Sequence, residues 1–204
     1  SKGYEDSKER GAFKKKRNEI EQDDSQLLVY QDEVHFQIQT TVTSGWYKRG
    51  SAPKAKSFPG RQKASYSGFV RPDTGELFVT KPARFTYETV IASIREFITA
   101  HPVPEGKRYA LVMDNAPWHK KVIRLVETEE QPEYEDIRKS VAFVKLPPYS
   151  PDLNPIEQVW RITRRENTHN VFFSNIKNLA ETVENAFLAW AKPNQQLVTL
   201  CSFK

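Results

Sequence analysis

Hydrophobic and polar positions change their spacing along the chain, and this change separates predicted strands from predicted helices. Residues 27–30 form a continuous apolar run that predicts a buried strand. Residues 35–42 then alternate between apolar and polar side chains, as a half-buried strand does. Two more strand signals flank a predicted turn at 73–75. The first part of the chain therefore predicts an antiparallel meander.

Helical spacing follows the meander. Apolar residues between 90 and 98 recur on one helix face, and a second such set lies between 176 and 190. Short apolar runs at 109–113 and 141–146 predict buried strands, and a further helix is predicted from 154 to about 167. Strands that alternate with helices after a meander predict an α/β fold, with a mixed five-stranded sheet flanked by helices on both faces.

Composition narrows the class of protein. The chain has 204 residues, with 31 Lys or Arg and 26 Asp or Glu, and the formal charge of +5 permits a polyanionic partner. The single cysteine, Cys201, excludes an internal disulfide framework and a cysteine-based zinc site. No apolar run reaches the roughly 18 residues of a transmembrane helix, and no phosphate-binding P-loop motif occurs. A charged-then-apolar leader is also missing, so we do not expect a secretory signal.

The two ends of the chain are predicted to lie outside the folded domain. Residues 1–25 are rich in charge and include a basic run at 14–17, a composition that buries too little apolar area to offset the ordering entropy. We expect a solvated linker or frayed helix there, with contact to DNA as the alternative. The domain is expected to span residues 26–192, followed by a C-terminal tail at 193–204.

Three acidic residues stand at the ends of predicted elements. Asp32 follows the first strand, Asp114 follows the strand at 109–113, and Glu157 lies in the first turn of a helix. Functional groups in α/β proteins gather at the carboxyl ends of the strands, so these acids would meet if their elements are neighbours. Each acid also has a purely structural interpretation. The aspartates suit turns, and Glu157 suits a capping box with Asn154.

Carboxylates that cluster repel one another and take up protons unless a hard cation neutralises them. Oxygen ligands suit Mg²⁺ or Mn²⁺, and two such ions can hold the attacking and leaving oxygens of a phosphodiester in line. Three converging acids would therefore indicate metal-assisted phosphoryl transfer on nucleic acid.

The sequences around the acids are more specific than their spacing. Residues 146–160, LPPYSPDLNPIEQVW, resemble the third-acid block of the mariner superfamily of transposases, and are most similar to its bacterial insertion-sequence branch. Residues 112–119, VMDNAPWH, resemble the second-acid block of that family, and residues 30–33, YQDE, with the downstream WYKRG at 46–50, resemble the first. The blocks occur in the family's order, and the resemblance covers roughly residues 27–192.

The resemblance implies an RNase H-like fold in which Asp32, Asp114 and Glu157 are the catalytic, metal-binding acids, with two Mg²⁺ or Mn²⁺ ions per active site. It implies cleavage of transposon ends by water, then attack of the freed 3′-OH on target DNA, typically at a TA dinucleotide. Asn115 and His119, in the second block, are expected to support the site. A homodimer on DNA, no membrane association and a cytoplasmic, nucleoid-associated location are also implied.

This chain departs from the family pattern at two points. The spacing of 43 residues between Asp114 and Glu157 is longer than usual. We expect the extra residues in the acid-rich stretch 127–138, as a solvated surface loop. The N-terminal helix-turn-helix region with which the family reads its terminal repeats is missing, so we expect a fragment or one product of a split reading frame.

Two groups of basic residues are predicted to contact DNA. Residues 45–63 combine cations with interleaved aromatic residues and contain no acid, and in position they resemble the family's clamp loop, which reaches a partner subunit. Three arginines follow Glu157 at helical spacing, on the same face. Ordinary solvated basic residues are the alternative for both groups. The predicted DNA-binding residues are Lys48, Arg49, Lys54, Lys56, Arg61, Lys63, Arg161, Arg164 and Arg165.

The function expected from the sequence is that of the catalytic domain of a DDE transposase. One alternative is a domesticated, catalytically silent relative that only binds DNA or assembles. The other is a stand-alone nuclease of the same fold, which cuts DNA without joining it. The presence of all three acids argues against the silent relative.

Overall fold

A computed structural model describes residues 2–38, 48–51, 62–128 and 131–202, and within these ranges the chain forms five strands and seven α-helices. The strands are β1 (Gln26–Gln37), β2 (Lys63–Arg71), β3 (Glu76–Thr80), β4 (Arg108–Met113) and β5 (Val141–Lys145). The helices are α1 (Lys2–Glu21), α2 (Tyr87–Ala100), α3 (Pro117–Glu127), α4 (Glu135–Ser140), α5 (Ile156–Thr163), α6 (Ile176–Leu188) and α7 (Gln195–Cys201). Over the same ranges, none of these helices has the length and apolar content that a membrane span requires.

The strands form one sheet in the order β3-β2-β1-β4-β5. The pairs β1–β2 and β2–β3 are antiparallel, whereas β4 runs parallel to both β1 and β5. The hairpin between β2 and β3 turns at Gly75, whose φ of +70° favours glycine. The predicted mixed five-stranded sheet, a meander followed by parallel strands, is confirmed.

Helices cover both faces of the sheet because successive residues of a strand point to opposite sides. On β1, Val29 belongs to the core beneath α2, α3 and α4, and Tyr30 belongs to the core beneath α5, α6 and α7. Trp160 of α5 is buried over β2, where Gly68 makes room for its ring. A Cβ atom at Gly68 would lie 2.4 Å from Trp160 Cη2. This close approach sets the position of α5 above β1 and β2.

Strand β1 is longer than the sequence predicts. Its pairing with β4 stops at Tyr30, but its pairing with β2 continues to Gln37. Asp32 and Glu33 therefore lie within a strand and not at its end, which corrects the expectation. Both acids still project beyond the point where parallel pairing stops. The part of the predicted strand past residue 38 lies outside the described residues.

The N-terminal helix packs onto the domain. Helix α1 buries Phe13 and Ile20, which are seven residues apart and so share one helix face. Arg10 forms an ion pair of 2.5 Å with Asp152. The expectation that residues 1–25 are a solvated linker is therefore wrong for this face of α1, because two well-spaced apolar side chains suffice to dock a highly charged helix.

The C-terminal segment 193–204 also contacts the domain over its described part. The side chain of Asn194 caps α7, and its backbone N–H donates to the carbonyl oxygen of Thr74 at 3.0 Å. Leu197 and Cys201 are buried. This packing corrects the expectation of a tail, whereas the boundary of the catalytic domain itself stays a prediction.

The acid-rich stretch 127–138 is not a loop throughout. It includes the start of α4, where Ile137 is fully buried between the sheet and α2 and α3. Asp136 forms an ion pair of 2.8 Å with Arg95 of α2. The expected solvated loop is corrected, over its described residues, to a partly helical segment anchored by one apolar side chain. Its described acids, Glu127, Glu133, Glu135 and Asp136, are exposed.

Candidate active site

The three predicted acids line one cavity of about 500 Å³. Asp32 comes from β1, Asp114 directly follows β4, and Glu157 lies in the first turn of α5. Asn115 and the segment 146–151 complete much of the wall. The convergence that the sequence predicted for these acids therefore occurs, although they are remote along the chain.

Asp32 is more deeply buried than Asp114. Its partner across the β1–β2 pair is Gly68, and its Oδ2 accepts a hydrogen bond of 3.1 Å from Trp160 Nε1. Burial, followed by the negative charges of Glu157 and Glu33, raises the pKa of Asp32 to about 8. Without a cation, this carboxyl group therefore holds a proton at neutral pH.

Asp114 has the opposite electrostatic character. Its side chain is 49% exposed, and its Oδ1 accepts hydrogen bonds from the Ala116 backbone N–H at 2.9 Å and from His119 Nδ1 at 2.5 Å. Burial favours a higher pKa, but these hydrogen bonds and the charge of His119 lower the pKa of Asp114 below its usual value. Asp114 is therefore ionised at neutral pH.

Glu157 is not held by the capping box that its spacing suggested. The N-cap residue of α5 is Pro155, which has neither a side-chain acceptor nor a backbone N–H. Asn154 instead accepts the Glu157 backbone N–H through its carbonyl oxygen, at 3.2 Å. The Glu157 carboxylate is thus not turned back onto the cap, and it lines the cavity with the two aspartates.

His119 stands behind Asp114 rather than in the cavity. Its side chain is fully buried, and its Nε2 donates to Glu33 Oε1 at 2.9 Å while Nδ1 donates to Asp114. Burial alone lowers the pKa of His119, but the hydrogen bonds and charges of Asp114 and Glu33 raise it to about 9. The sequence did not single out the contact between Glu33 and His119, because these residues are 86 apart in the chain.

Three further residues of the cavity have distinct positions. Asn115 Nδ2 donates to the Leu146 carbonyl oxygen at 2.6 Å and so ties the loop after β4 to the loop after β5. Tyr149 lies on that second loop with a φ of 52° and is 83% exposed. Lys120, which the sequence did not single out, also lines the cavity.

The donor set suits a hard cation in type and charge. All three acids offer oxygen atoms, and the raised pKa of Asp32 reflects burial beside negative charges that a cation would offset. Across the described ranges, however, no three His, Cys, Asp or Glu side chains are placed so that together they hold a metal ion. Asp32 and Asp114 instead direct oxygens at Trp160 and His119. One oxygen of each aspartate is therefore engaged by a neighbouring side chain.

The structure describes only some of the basic residues predicted in the stretch 45–63. Lys48, Arg49 and Lys63 are exposed, and Lys63 Nζ lies 3.3 Å from His35 Nε2. Lys54, Lys56 and Arg61 lie outside the described residues. Contact of this group with DNA stays a prediction.

Arg161, Arg164 and Arg165 are not among the described residues that line the cavity of Glu157. Arg161 lines a separate groove with Lys14 of α1, and the guanidinium of Arg164 lies 5.4 Å from the centre of the Phe36 ring. Arg165 pairs with Glu166 at 3.0 Å. These arginines therefore do not line the cavity with Glu157, and their contact with DNA stays a prediction. The helix widens into a π-helical turn at Arg164–Thr168, which changes the spacing of its later residues.

Similar proteins are known at the level of both sequence and structure. A curated relative, the uncharacterized protein y4pE/y4sA of Sinorhizobium fredii (strain NBRC 101917 / NGR234), is 30% identical over 90 residues, which cover 44% of this chain and 56% of that protein. The mariner Mos1 paired end complex with Mg matches with a TM-score of 0.64 and 14% identity, over 96% of this chain and 59% of that one. The Mos1 strand transfer complex matches with a TM-score of 0.64 and 13% identity, over 95% and 57%. The chain thus spans somewhat more than half the length of these proteins.

The structural likeness shows that the fold is that of the Mos1 catalytic domain, the RNase H-like fold that the sequence blocks implied. A family model described as DDE superfamily endonuclease matches residues 27–180, well over half of the chain. The match includes Asp32, Asp114 and Glu157. The chain therefore belongs to the DDE superfamily endonuclease family.

Proposed function

We propose that this chain is the catalytic domain of a DNA transposase. It cleaves phosphodiester bonds at transposon ends and transfers the resulting 3′-OH into target DNA, with Mg²⁺ or Mn²⁺ as cofactor. The observation that carries this proposal is the convergence of Asp32, Asp114 and Glu157, from three separate elements, on one cavity of a DDE-family domain.

The cation would be held by these three carboxylates. Bound there as two ions, it would supply charge neutralisation and activation of the attacking oxygen. Trp160 fixes one oxygen of Asp32, and His119 with the Ala116 N–H fixes one oxygen of Asp114. Neither bond to Asp114 uses its Oδ2, which would therefore bind the ion.

Other side chains at the cavity suit a DNA strand. Lys120 adds a positive charge beside the acids, where a scissile phosphate would lie. Tyr149 presents an exposed ring at the rim, and aromatic rings stack on bases of unpaired DNA. Lys48, Arg49 and Lys63 would extend the contact along the phosphate backbone.

The finer details rest on the resemblance to mariner-type transposases. They are integration at a TA dinucleotide, two metal ions per site, a homodimer that holds two transposon ends, and action at the nucleoid. The relatives with solved structures include a Mos1 paired end complex with Mg and a Mos1 strand transfer complex, which supports the same chemistry here.

A joining assay separates this function from its alternatives. The chain is incubated with Mg²⁺ or Mn²⁺, a pre-cut DNA end and a supercoiled target plasmid, and the products are resolved on a gel. We expect joined product from the wild type and none from Glu157→Gln. Cutting without joining would identify a nuclease, and neither reaction would identify a silent DNA-binding module.

A further inference from the structure

Glu33 is a buried acid that the proposed chemistry does not use directly. It follows Asp32 on β1 but faces the other side of the sheet, towards α3, and its side chain is only 5% exposed. A buried carboxylate is unfavourable unless hydrogen bonds compensate its desolvation. The hydrogen-bond partners of Glu33 therefore indicate what this buried carboxylate does.

The contacts of Glu33 lead to the cavity in two steps. Its Oε1 accepts from His119 Nε2 at 2.9 Å, and His119 Nδ1 donates to Asp114 Oδ1 at 2.5 Å. Glu33 is itself held by Gln31 Nε2, 2.8 Å from Oε1, and by Trp118 Nε1, 3.4 Å from Oε2. A fixed acid thus holds a buried imidazole, and the imidazole holds an acid of the cavity.

We propose that Glu33 is a positioning residue that orients Asp114 through His119. With both ring nitrogens engaged, the imidazole cannot rotate about its Cβ–Cγ bond without breaking a hydrogen bond. Oδ1 of Asp114 is thereby fixed by His119 and Ala116, and neither of these bonds uses Oδ2. The inference rests on the proposed function, because it gives Oδ2 of Asp114 to the cation.

The arrangement is that of an outer shell around a metal ligand. Such outer partners orient the ligand before the ion arrives, and their loss typically weakens metal binding by about 10- to 100-fold. Glu33 reaches the cavity only through His119 and Asp114. Its loss should therefore change the affinity for the ion while all three ligands remain. Loss of a ligand should also remove the reaction at saturating ion.

The test is a double-mutant cycle read by Mn²⁺ binding. Isothermal titration calorimetry with MnCl₂ compares the wild type, Glu33→Gln, His119→Asn and the double variant. We expect Glu33→Gln to weaken Mn²⁺ binding by about tenfold or more. In the His119→Asn background, where the link is already cut, the same change should have no further effect. Normal Mn²⁺ affinity in Glu33→Gln, or equal weakening in both backgrounds, would overturn the proposal.

The split between affinity and maximal rate is a second readout that general destabilisation does not reproduce. The joining rate of Glu33→Gln should recover to within a few-fold of the wild type at saturating Mn²⁺, whereas that of Asp114→Asn should not. A maximal rate of Glu33→Gln as low as that of Asp114→Asn would contradict a positioning role.

A matched control is available on the hairpin between β2 and β3. Glu76 is also a partly buried carboxylate with hydrogen bonds, from Arg71 and Thr74, but it lies outside the cavity. Glu76→Gln should leave Mn²⁺ affinity unchanged. If circular dichroism shows that Glu33→Gln does not fold, Glu33→Asp is used in its place. Aspartate retains the charge, but its side chain is one methylene shorter and does not reach His119 in the same way. The expected and contradicting results are the same for both variants.

Different results would refute the proposed function and the positioning role of Glu33. A wild type that binds Mn²⁺ but neither cuts nor joins DNA would refute the function, while the calorimetric cycle would still decide the role of Glu33. Conversely, the wild type could join DNA while the calorimetric cycle shows no coupling between Glu33 and His119. That combination would refute only the role of Glu33.

Discussion

Asp32 and Asp114 are the same residue type in the same cavity, yet their surroundings drive them to opposite protonation states. Asp32 is buried beside Trp160 and near two glutamates, and its pKa rises to about 8. Asp114 is half exposed and accepts hydrogen bonds from His119 and the Ala116 N–H, and its pKa falls below the usual value.

The difference lies in the donors that each side of the sheet provides. On the α5 side, Asp32 receives a neutral indole N–H, which does little to offset burial. On the α3 side, Asp114 receives a charged imidazole that Glu33 holds in place. Before any cation binds, one carboxylate is therefore ionised and oriented, and the other retains a proton that the cation would have to displace.

The largest expected effect is on the reaction. Asp114→Asn should reduce DNA cleavage and joining in Mg²⁺ by at least about a thousandfold, because ligation of the cation contributes several kcal/mol to the transition state. Affinity for duplex DNA, measured by fluorescence anisotropy, should stay nearly the same. Full activity of this variant in Mg²⁺ would show that Asp114 is not a metal ligand.

The next effect distinguishes the two aspartates by stability. In EDTA, the folded state retains a proton on Asp32 between the ordinary pKa of 3.8 and about 8, so the unfolding free energy contributed by this residue decreases as pH rises through that window. Asp32→Asn should remove this decrease and stabilise the chain at pH 8 by about 2–5 kcal/mol.

Asp114→Asn should act in the opposite direction, since the lowered pKa of Asp114 contributes stability at neutral pH that is lost as the pH falls through its range. Urea unfolding at several pH values measures both variants. Equal shifts of the same sign would contradict the assigned protonation states.

A smaller effect concerns the packing that supports Asp32. Gly68→Ala places a methyl group 2.4 Å from the Trp160 ring, so the ring and α5 must shift. We expect a loss of about 1–3 kcal/mol in unfolding free energy, with weaker Mn²⁺ binding because Trp160 and Glu157 move together. Gly11→Ala is the matched control, because a Cβ atom there would meet no neighbouring atom within 4 Å and alanine favours a helix.

The smallest effect concerns DNA binding away from the acids. Replacing Lys48 and Arg49 by Ala should lower the slope of log affinity against log salt by about two, with no change in Mn²⁺ affinity. The exposed residues Lys139 and Lys177 are a matched pair on other surfaces, and their replacement should leave the slope as it is. An unchanged slope for Lys48 and Arg49 would show that this surface faces away from DNA.

Local sequence patterns were sufficient for most of the fold, and the residue blocks around the three acids correctly indicated that these acids come together in one cavity. The apolar run before Asp114 predicts β4, and the apolar set at 90–98 predicts α2, because each depends on residues close in the chain. The same patterns failed where partners are remote. The antiparallel partner β2 extends β1 past Asp32, and docking of Phe13 and Ile20 orders a helix whose overall composition favours solvent.

The residue blocks around the three acids thus indicated which residues supply the carboxylates, and short-range patterns predicted the order in which their elements occur. The protonation states of the two aspartates and the link from Glu33 to Asp114 required three-dimensional packing. Glu33 and His119 are 86 residues apart, and their contact depends on how α3 docks against β1. Burial and hydrogen-bond partners, which decide a pKa, are properties of that packing and not of the neighbouring sequence.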